Sequence, residues 1–529
     1  MPTSWKAMLW GALIGVPLGL CNLVVGLKLG LGVGVALTAV GFAGALRRTP
    51  LLPSMAPGDA ALLQSVASAA GYSAGSAVAS VLAAMVLAGV TPSWPVALAW
   101  TLGVALFGTA LGWAWHASAV KLPFPSATAA AEAIKTLWKV GAPEAKVTSA
   151  RPWLLATGGA VAFTVLRRIV KVVPSTVLSR GTYGLGFDLS ALALGVGMLL
   201  GLRVGLSTAL AGLFVAAIEG PWLFARGQLG SADLGGLAGW NVWPATALIT
   251  AAAVTHLLAG LRVSGAVERP DARALFWSLL PGSALGLLCV FAFDAPFWAA
   301  ALVVIATPLA CVVSIRMTGE TDATPGAPLA MGLQLLFGAA LPFSPGVSIA
   351  SAGVLAGASA SAADLVSDVK TGTLVGLAPR RQLVAQLIGC VVGALVAVPA
   401  FLFLARGALG GAEWPAPAAQ MFLAAGRAAS GDAGLGAGLR LACVIAAVFG
   451  VGLALLERKE RFSSRMPSPM GIGLALLVPP SMAVTIGVGA LLGYWARKHT
   501  ALPSVASGLM VGESIGELTA AVHDAVGSS

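Results

Sequence analysis

Apolar runs follow one another along almost the whole chain, at about 7–27, 30–46, 60–90, 96–120, 152–172, 186–201, 204–225, 242–261, 274–293 and 296–315, and again at 326–341, 345–363, 382–405, 416–426, 438–456, 470–496 and 500–522. A bilayer core takes roughly 20 apolar residues to cross as a helix. No stretch between the runs is polar enough for a soluble domain. Only 10% of the 529 residues are charged and mean hydropathy is +0.92, whereas a soluble chain carries about 25% charged residues because its surface faces water. The chain therefore reads as an all-α polytopic membrane protein, one membrane domain over 1–529 with approximate halves 1–270 and 271–529. A soluble enzyme is excluded.

Basic residues outnumber acidic ones, 31 to 20, which in a membrane protein points to loops on the cytoplasmic side rather than to nucleic acid. Lys6, Arg47 and Arg48 suggest one face for the first hairpin, and Arg167, Arg168, Lys171, Arg458, Lys459, Arg461 and Arg465 mark further cytoplasmic ends. These clusters do not all fall on one face if every run is a full crossing, so segments near 121–138 and 317–345 are expected to enter and return. The first run, with one lysine ahead of it and a second run close behind, reads as a retained helix rather than a cleaved signal. The five cysteines lie singly in apolar stretches without a CxxC pair, and no metal site or cofactor is expected.

Glycine is unusually abundant, with 67 residues. In lipid, small residues let helix backbones approach closely where the hydrophobic drive is missing. The sequence also echoes itself: Lys121-Leu-Pro-Phe-Pro125 resembles Arg465-Met-Pro-Ser-Pro469, one copy in each half. Proline breaks helices, and broken helices at membrane depth are tolerated only against protein or a wet cavity. Pro123, Pro125, Pro467 and Pro469 are thus candidate breaks of a repeat-built transporter; the alternative is a pair of ordinary surface loops.

Ionisable groups in or beside apolar runs are the informative ones, each costing about 2.5–3.5 kcal/mol on insertion scales unless it faces a cavity or a partner. Lys28, Glu132, Arg316, Glu320, Asp364, Asp368 and Glu513 stand out. Asp364 and Asp368 are four apart and share a helical face, where two carboxylates in low dielectric tend to hold a proton between them. The alternatives are a solvated helix end for Asp368, an interfacial anchor for Lys28 and buried structural ion pairs for Glu132, Glu320 and Glu513. His116 and His256 lie in apolar helices and read first as packed core histidines. No H-E-x-x-H, G-x-S-x-G or Gly-Lys-Ser motif occurs, so an intramembrane hydrolase or an ATP-driven pump lacks its parts and an ion gradient must drive any transport.

Taken in order, these segments resemble the oligopeptide transporter family, which includes fungal and plant peptide transporters, yellow stripe-like metal-chelate transporters and bacterial members. Asn22-Leu-Val-Val-Gly-Leu-Lys28 is similar to the family's Asn-x-Tyr-x-Gly-Leu-Lys, and Leu122-Pro-Phe-Pro-Ser-Ala-Thr-Ala-Ala-Ala-Glu132 to its Leu-Pro-Phe-Pro-Glu-Gly-Thr-Ala-x-Ala-Glu. Arg316 to Asp322 resembles Arg-x-x-Gly-Glu-Thr-Asp, and Asp364 to Gly372 resembles Asp-Leu-Met-x-Asp-x-Lys-Thr-Gly. Pro379-Arg-Arg-Gln382, Pro467-Ser-Pro469, Pro479-Pro-Ser481 and Gly512-Glu513 follow in the expected sequence.

The resemblance implies about sixteen spanning segments with inverted repeats and re-entrant or broken helices. It also implies proton symport of small peptides or peptide-like solutes, no enzymatic activity, and the cytoplasmic membrane of a bacterium; it leaves a homodimer open. By matching position, Glu132, Asp364, Asp368, Glu513 and Glu320 inherit proton coupling, with Glu132 and Asp364 foremost. Asn22, Lys28, Gln64, Ser65 and Arg316 inherit substrate binding. The chain departs from the family at Asp59-Ala-Ala-Leu-Leu-Gln-Ser65, at Val24 and at Ser126-Ala127, so peptide specificity does not transfer directly. Import of a metal held by an organic chelator is the alternative, an ion channel a distant one, and the scarcity of Cys and membrane His disfavours a bare-metal carrier.

Overall fold

The computed structural model describes residues 3–30, 32, 35–46, 55–138, 150–229, 231–263, 270–321, 324, 326–340, 344–404, 409–411, 413–431, 434–459, 466–499 and 501–527. Arg47, Arg48, Asp322, Arg461 and Arg465 lie outside the described residues. The first stretch forms α1 (Thr3–Leu29), α2 (Ala36–Leu46), α3 (Pro57–Ser73, prolonged by the π-helical Ala74–Leu82 and the turn Ala83–Leu87), α4 (Trp94–Ala119) and α5 (Pro125–Trp138). Next come α6 (Ala150–Val165, ending in π-helical Leu166–Val170), a hairpin of β1 (Thr176–Arg180) and β2 (Leu185–Asp188), α7 (Ala191–Leu200), α8 (Leu202–Phe214, continued through Val215–Glu219 and Gly220–Ala225) and α9 (Leu234–Val263). A connecting helix, α10 (Ala272–Phe293), precedes α11 (Phe297–Thr321), α12 (Gly326–Ala340), α13 (Pro345–Leu374), α14 (Pro379–Leu404) and α15 (Pro417–Ala429). The chain closes with α16 (Ala437–Glu457), α17 (Pro469–Leu477), α18 (Pro480–Ala496) and α19 (Leu502–Gly527).

Among the described residues, eleven helices are long and apolar enough to cross a membrane, and Ala191–Leu200 and Pro480–Ala496 are shorter apolar helices. The chain is thus an all-α polytopic membrane protein, apart from one antiparallel hairpin that the apolar pattern did not announce. Phe276, Trp277, Leu280 and Phe291 on α10 and Leu441, Val444 and Val448 on α16 are exposed, as lipid-facing side chains are; contiguous apolar faces of this size are rare on soluble monomers.

The order of helices repeats: α1–α9 correspond one by one to α11–α19, with α10 between the copies. The packing is reciprocal. Helix α3 packs on α14 as α13 packs on α4; α6 packs on α19 as α16 packs on α9; and α7 packs on α18 as α17 packs on α8. Pairings of this form, in which i meets j′ and i′ meets j, are what a two-fold axis produces.

Two bundles result. One gathers α1–α5 and α10–α15, the other α6–α9 and α16–α19, and α1–α19, α9–α12 and α9–α15 contacts join them. Glycine permits the closest crossings: a Cβ on Gly108 of α4 would stand 2.2 Å from the Ala358 carbonyl oxygen of α13, and one on Gly389 of α14 would stand 2.5 Å from the Val66 oxygen of α3.

The symmetry also identifies the true partner of the first Pro-x-Pro. Pro125 opens α5 and Pro417 opens α15. Each is preceded by a residue at positive φ, Phe124 at 44° and Ala416 at 46°. The Phe124 N–H donates to the Gly319 carbonyl of α11 at 2.8 Å, and the Ala416 N–H to the Leu27 carbonyl of α1 at 2.7 Å. Thr128 Oγ1 donates to the Pro123 carbonyl and Gln420 Nε2 to that of Pro415. Pro123-Phe-Pro125 therefore pairs with Pro415-Ala-Pro417 and not with Pro467-Ser-Pro469, a correction to the short sequence echo. Pro469 opens α17, where Ser468 caps the helix by accepting from the Gly471 N–H and donates its own N–H to Ser207 of α8. Its counterpart is the Ser190 cap of α7.

Candidate functional site

Three helices of the first bundle each aim an i, i+4 polar pair at one place. Such pairs lie on one helical face. Helix α3 brings Gln64, Ser65 and Ser68, α13 brings Asp364 and Asp368, and α14 brings Gln382 and Gln386, all of them buried. Gln64 Nε2 donates to Asp368 Oδ1 at 2.7 Å, Ser68 Oγ to Asp364 Oδ1 at 3.1 Å and Gln386 Nε2 to Asp364 Oδ2 at 2.9 Å. Ser65 Oγ donates to Gln382 Oε1 at 3.1 Å, and Gln382 Nε2 to the Asp368 carbonyl at 2.8 Å. Among the described residues Gln64 Oε1, Gln386 Oε1 and Asp368 Oδ2 have no protein partner.

Among the described residues no basic side chain pairs with either aspartate. Lys370, two residues on, instead donates to the Val120 carbonyl. Two buried carboxylates this close together repel each other when both are ionised, so a positive particle, a proton or another cation, is needed to hold them. Asparagine in place of either would keep the shape and remove that requirement.

A second polar cluster joins the two bundles. Lys28 at the end of α1 reaches Glu517 of α19 at 2.8 Å and Glu513 at 3.5 Å. Arg167, in the π-helical end of α6, reaches the same acids at 2.9 and 3.2 Å and donates to the Leu189 carbonyl at 2.8 Å. Arg168 contacts Glu517 at 3.2 Å and also pairs with Glu413. Glu513 is saturated further by the Ser190 hydroxyl and the Leu192 N–H at the start of α7, and Trp414 stacks on the Lys28 ammonium from 5.5 Å. On the hairpin, outside the spanning helices, burial pushes the Asp188 carboxyl up to about 6, although Arg167, 4.0 Å away, pulls it down. Here every charge has an opposite one, so the cluster is a bundle-to-bundle fastening.

The sequence-derived candidates thus separate. Gln64, Ser65, Asp364 and Asp368 meet in the first site, while Lys28 and Glu513 meet in the second. Asn22 is buried on α1 and donates to the Gly71 carbonyl of α3 at 3.2 Å. Glu132 stands on an exposed face of α5, its side chain 62% accessible and paired with Lys135 at 2.8 Å. Arg316 is half-buried near the end of α11; Glu320 lies in the same helix, its side chain outside the described residues. Arg167 and Arg168, taken as markers of a cytoplasmic end, are members of the ion cluster.

Sequence reading assigned no role to Ser68, Gln382, Gln386, Glu517, Asp188 or Ser190. The four-residue spacing of Gln382 and Gln386 was a signal in the same form as that of the aspartates. Glutamines do not ionise, however, and so were not among the titratable groups that stood out in the apolar runs.

Comparison with known proteins agrees with the motifs. A Saccharomyces cerevisiae protein whose name points to oligopeptide transport is 26% identical over 240 residues, 42% of this chain and 33% of its own. A protein of Oryza sativa subsp. japonica named as a probable metal-nicotianamine transporter is 26% identical over 492 residues, covering 76% of this chain and 69% of its own. One of Arabidopsis thaliana with the same description is 30% identical over 190 residues, 33% and 26% of the two chains. The match thus spans about a third of the yeast relative's length. The family model described as OPT oligopeptide transporter protein matches residues 3–267 and 272–523. With nearly the whole chain matched, and with six of its motif residues gathered into two buried polar clusters, Gln64, Ser65, Asp364 and Asp368 in one and Lys28 and Glu513 in the other, the chain belongs to the oligopeptide transporter family.

Proposed function

We propose that the chain is a secondary active symporter that imports small peptides or peptide-like solutes across the cytoplasmic membrane of a bacterium, driven by protons taken up at Asp364 and Asp368. The observation that carries the reading is the buried carboxylate pair with amide and hydroxyl donors around it and no basic partner among the described residues. A carboxylate whose proton comes and goes can bias a two-state carrier, because the protonated and ionised forms stabilise different arrangements. Substrate is expected where the two bundles face each other, since their relative movement alternates access. Transport of a metal already held by an organic chelator is the second reading, favoured by the names of the rice and Arabidopsis relatives.

Charge movement in proteoliposomes tests both. Currents evoked by a library of di- to hexapeptides, larger with an inward proton gradient, support the first reading. Currents evoked by metal chelates alone favour the second, and silence to both in folded protein contradicts the proposal.

A further inference from the structure

We infer that the Asp364–Asp368 site also takes a hard monovalent cation of the Na+ class, which competes with the coupling protons; the inference deepens the coupling reading and rests on this pair being the coupling site. Three acceptors of this cluster have no protein donor among the described residues: Asp368 Oδ2, Gln64 Oε1 and Gln386 Oε1, on side chains that are 1%, 0% and 1% exposed. A buried polar atom left unsatisfied costs about 1–3 kcal/mol. One proton on Asp368 Oδ2 satisfies that atom and, by donating onward, at most one amide oxygen; at least one amide oxygen stays without a donor. A cation takes several oxygens at once, which is how hard ions bind in proteins.

The donor set sorts the ion further. The acceptor atoms that the cluster offers an ion are oxygens, those of two carboxylates, two amides and the Ser65 and Ser68 hydroxyls. Both oxygens of Asp364 already accept hydrogen bonds, so a single carboxylate oxygen is free and the remaining ligands are neutral. That pattern suits a monovalent ion better than a divalent one, which usually recruits more carboxylate. With one proton shared by the aspartates, one Na+ brings the buried site to neutrality.

The titratable groups of the elements packed around α13 are Asp59 and Tyr72 on α3, His116 on α4, Glu132 and Lys135 on α5, Arg273 and Cys289 on α10, Cys311, Arg316 and Glu320 on α11, Arg380, Arg381 and Cys390 on α14, Arg427 on α15 and Lys370 on α13 itself.

The test is binding of radioactive Na+ to the purified full chain in detergent at pH 8.5 and 5.5, with size-exclusion profile and melting temperature as folding controls. Saturable binding at pH 8.5, weakened at least tenfold at pH 5.5 and weakened at least tenfold by Asp368→Asn and by Gln64→Leu, is expected. Absence of saturable binding in folded protein, or binding that survives Asp368→Asn, overturns the inference. Proton-driven uptake by the same variants separates the two claims. If Na+ does not bind but Asp368→Asn abolishes gradient-driven uptake, the cation site falls and the coupling reading stands. If that variant keeps gradient-driven uptake, the coupling reading falls with it.

Discussion

At the scale of single residues, burial separates side chains that the sequence treats alike. Asp368 and Glu132 are both carboxylates beside small apolar residues, yet one is 1% exposed among amides and the other is paired with Lys135 in the open. Surface pairs of that kind contribute about 0–1 kcal/mol, so Glu132→Gln is expected to shift melting temperature little and to leave proton-driven uptake intact; loss of coupling in a folded Glu132→Gln protein contradicts the assignment. Gln386→Leu is expected to do more, since it removes a donor from buried Asp364. An uncompensated buried group costs about 1–3 kcal/mol, and the pH at which uptake is half-maximal should rise, because the neutral form of Asp364 loses less than the ionised form. A pH profile of uptake checks this, and an unchanged midpoint contradicts it. The i, i+4 aspartates were legible in the sequence because charge inside an apolar run stands out. Their amide partners on other helices were not, because which helix faces which is decided by packing rather than by spacing.

Elements show the same division. The apolar runs located most helices, and two of the prolines read as candidate breaks, Pro125 and Pro469, open α5 and α17. The β-hairpin was missed because its strands are short, β1 lying in the gap between two runs and β2 at the start of the run 186–201, and the partner of the first Pro-x-Pro was mistaken because Pro415-Ala-Pro417 lacks the flanking basic residue. Both Pro-x-Pro segments hold a non-glycine residue at positive φ, a conformation that costs an L residue roughly 1–2 kcal/mol. Ala416→Gly is therefore expected to raise thermal stability by up to about 1 kcal/mol, and a fall in melting temperature argues against strain at that crossing. Gly108→Ala should do the opposite: its Cβ would meet backbone, the Ala358 carbonyl oxygen at 2.2 Å, with no flexible side chain to give way. Overpacking of this kind costs about 1–3 kcal/mol, read as a lowered melting temperature of purified protein. An unchanged value would mean that α4 and α13 can separate freely.

For the whole molecule, two bundles built from interleaved parts of the chain share one buried ionic fastening and keep the aspartate pair inside the first bundle. On the proposed reading, coupling and fastening are thus separate devices. Removing one partner of a buried ion network leaves an uncompensated charge and typically costs about 3–5 kcal/mol, less where other partners remain. Lys28→Met leaves Glu517 with Arg167 and Arg168, so a loss of about 2 kcal/mol is expected, partly restored in the Lys28→Met, Glu517→Gln double variant. Additive losses in that pair contradict direct coupling across the bundle interface. The repeat was legible only as a hint, because the two copies share helix order and packing but little sequence.

The most direct test of the account compares two assays on one variant, Asp368→Asn, reconstituted beside the wild type with whichever substrate evokes current. The account predicts that exchange of labelled for unlabelled substrate across the membrane survives, because the carrier still alternates, while accumulation driven by a pH gradient is lost. Accumulation at the wild-type level in Asp368→Asn would contradict it.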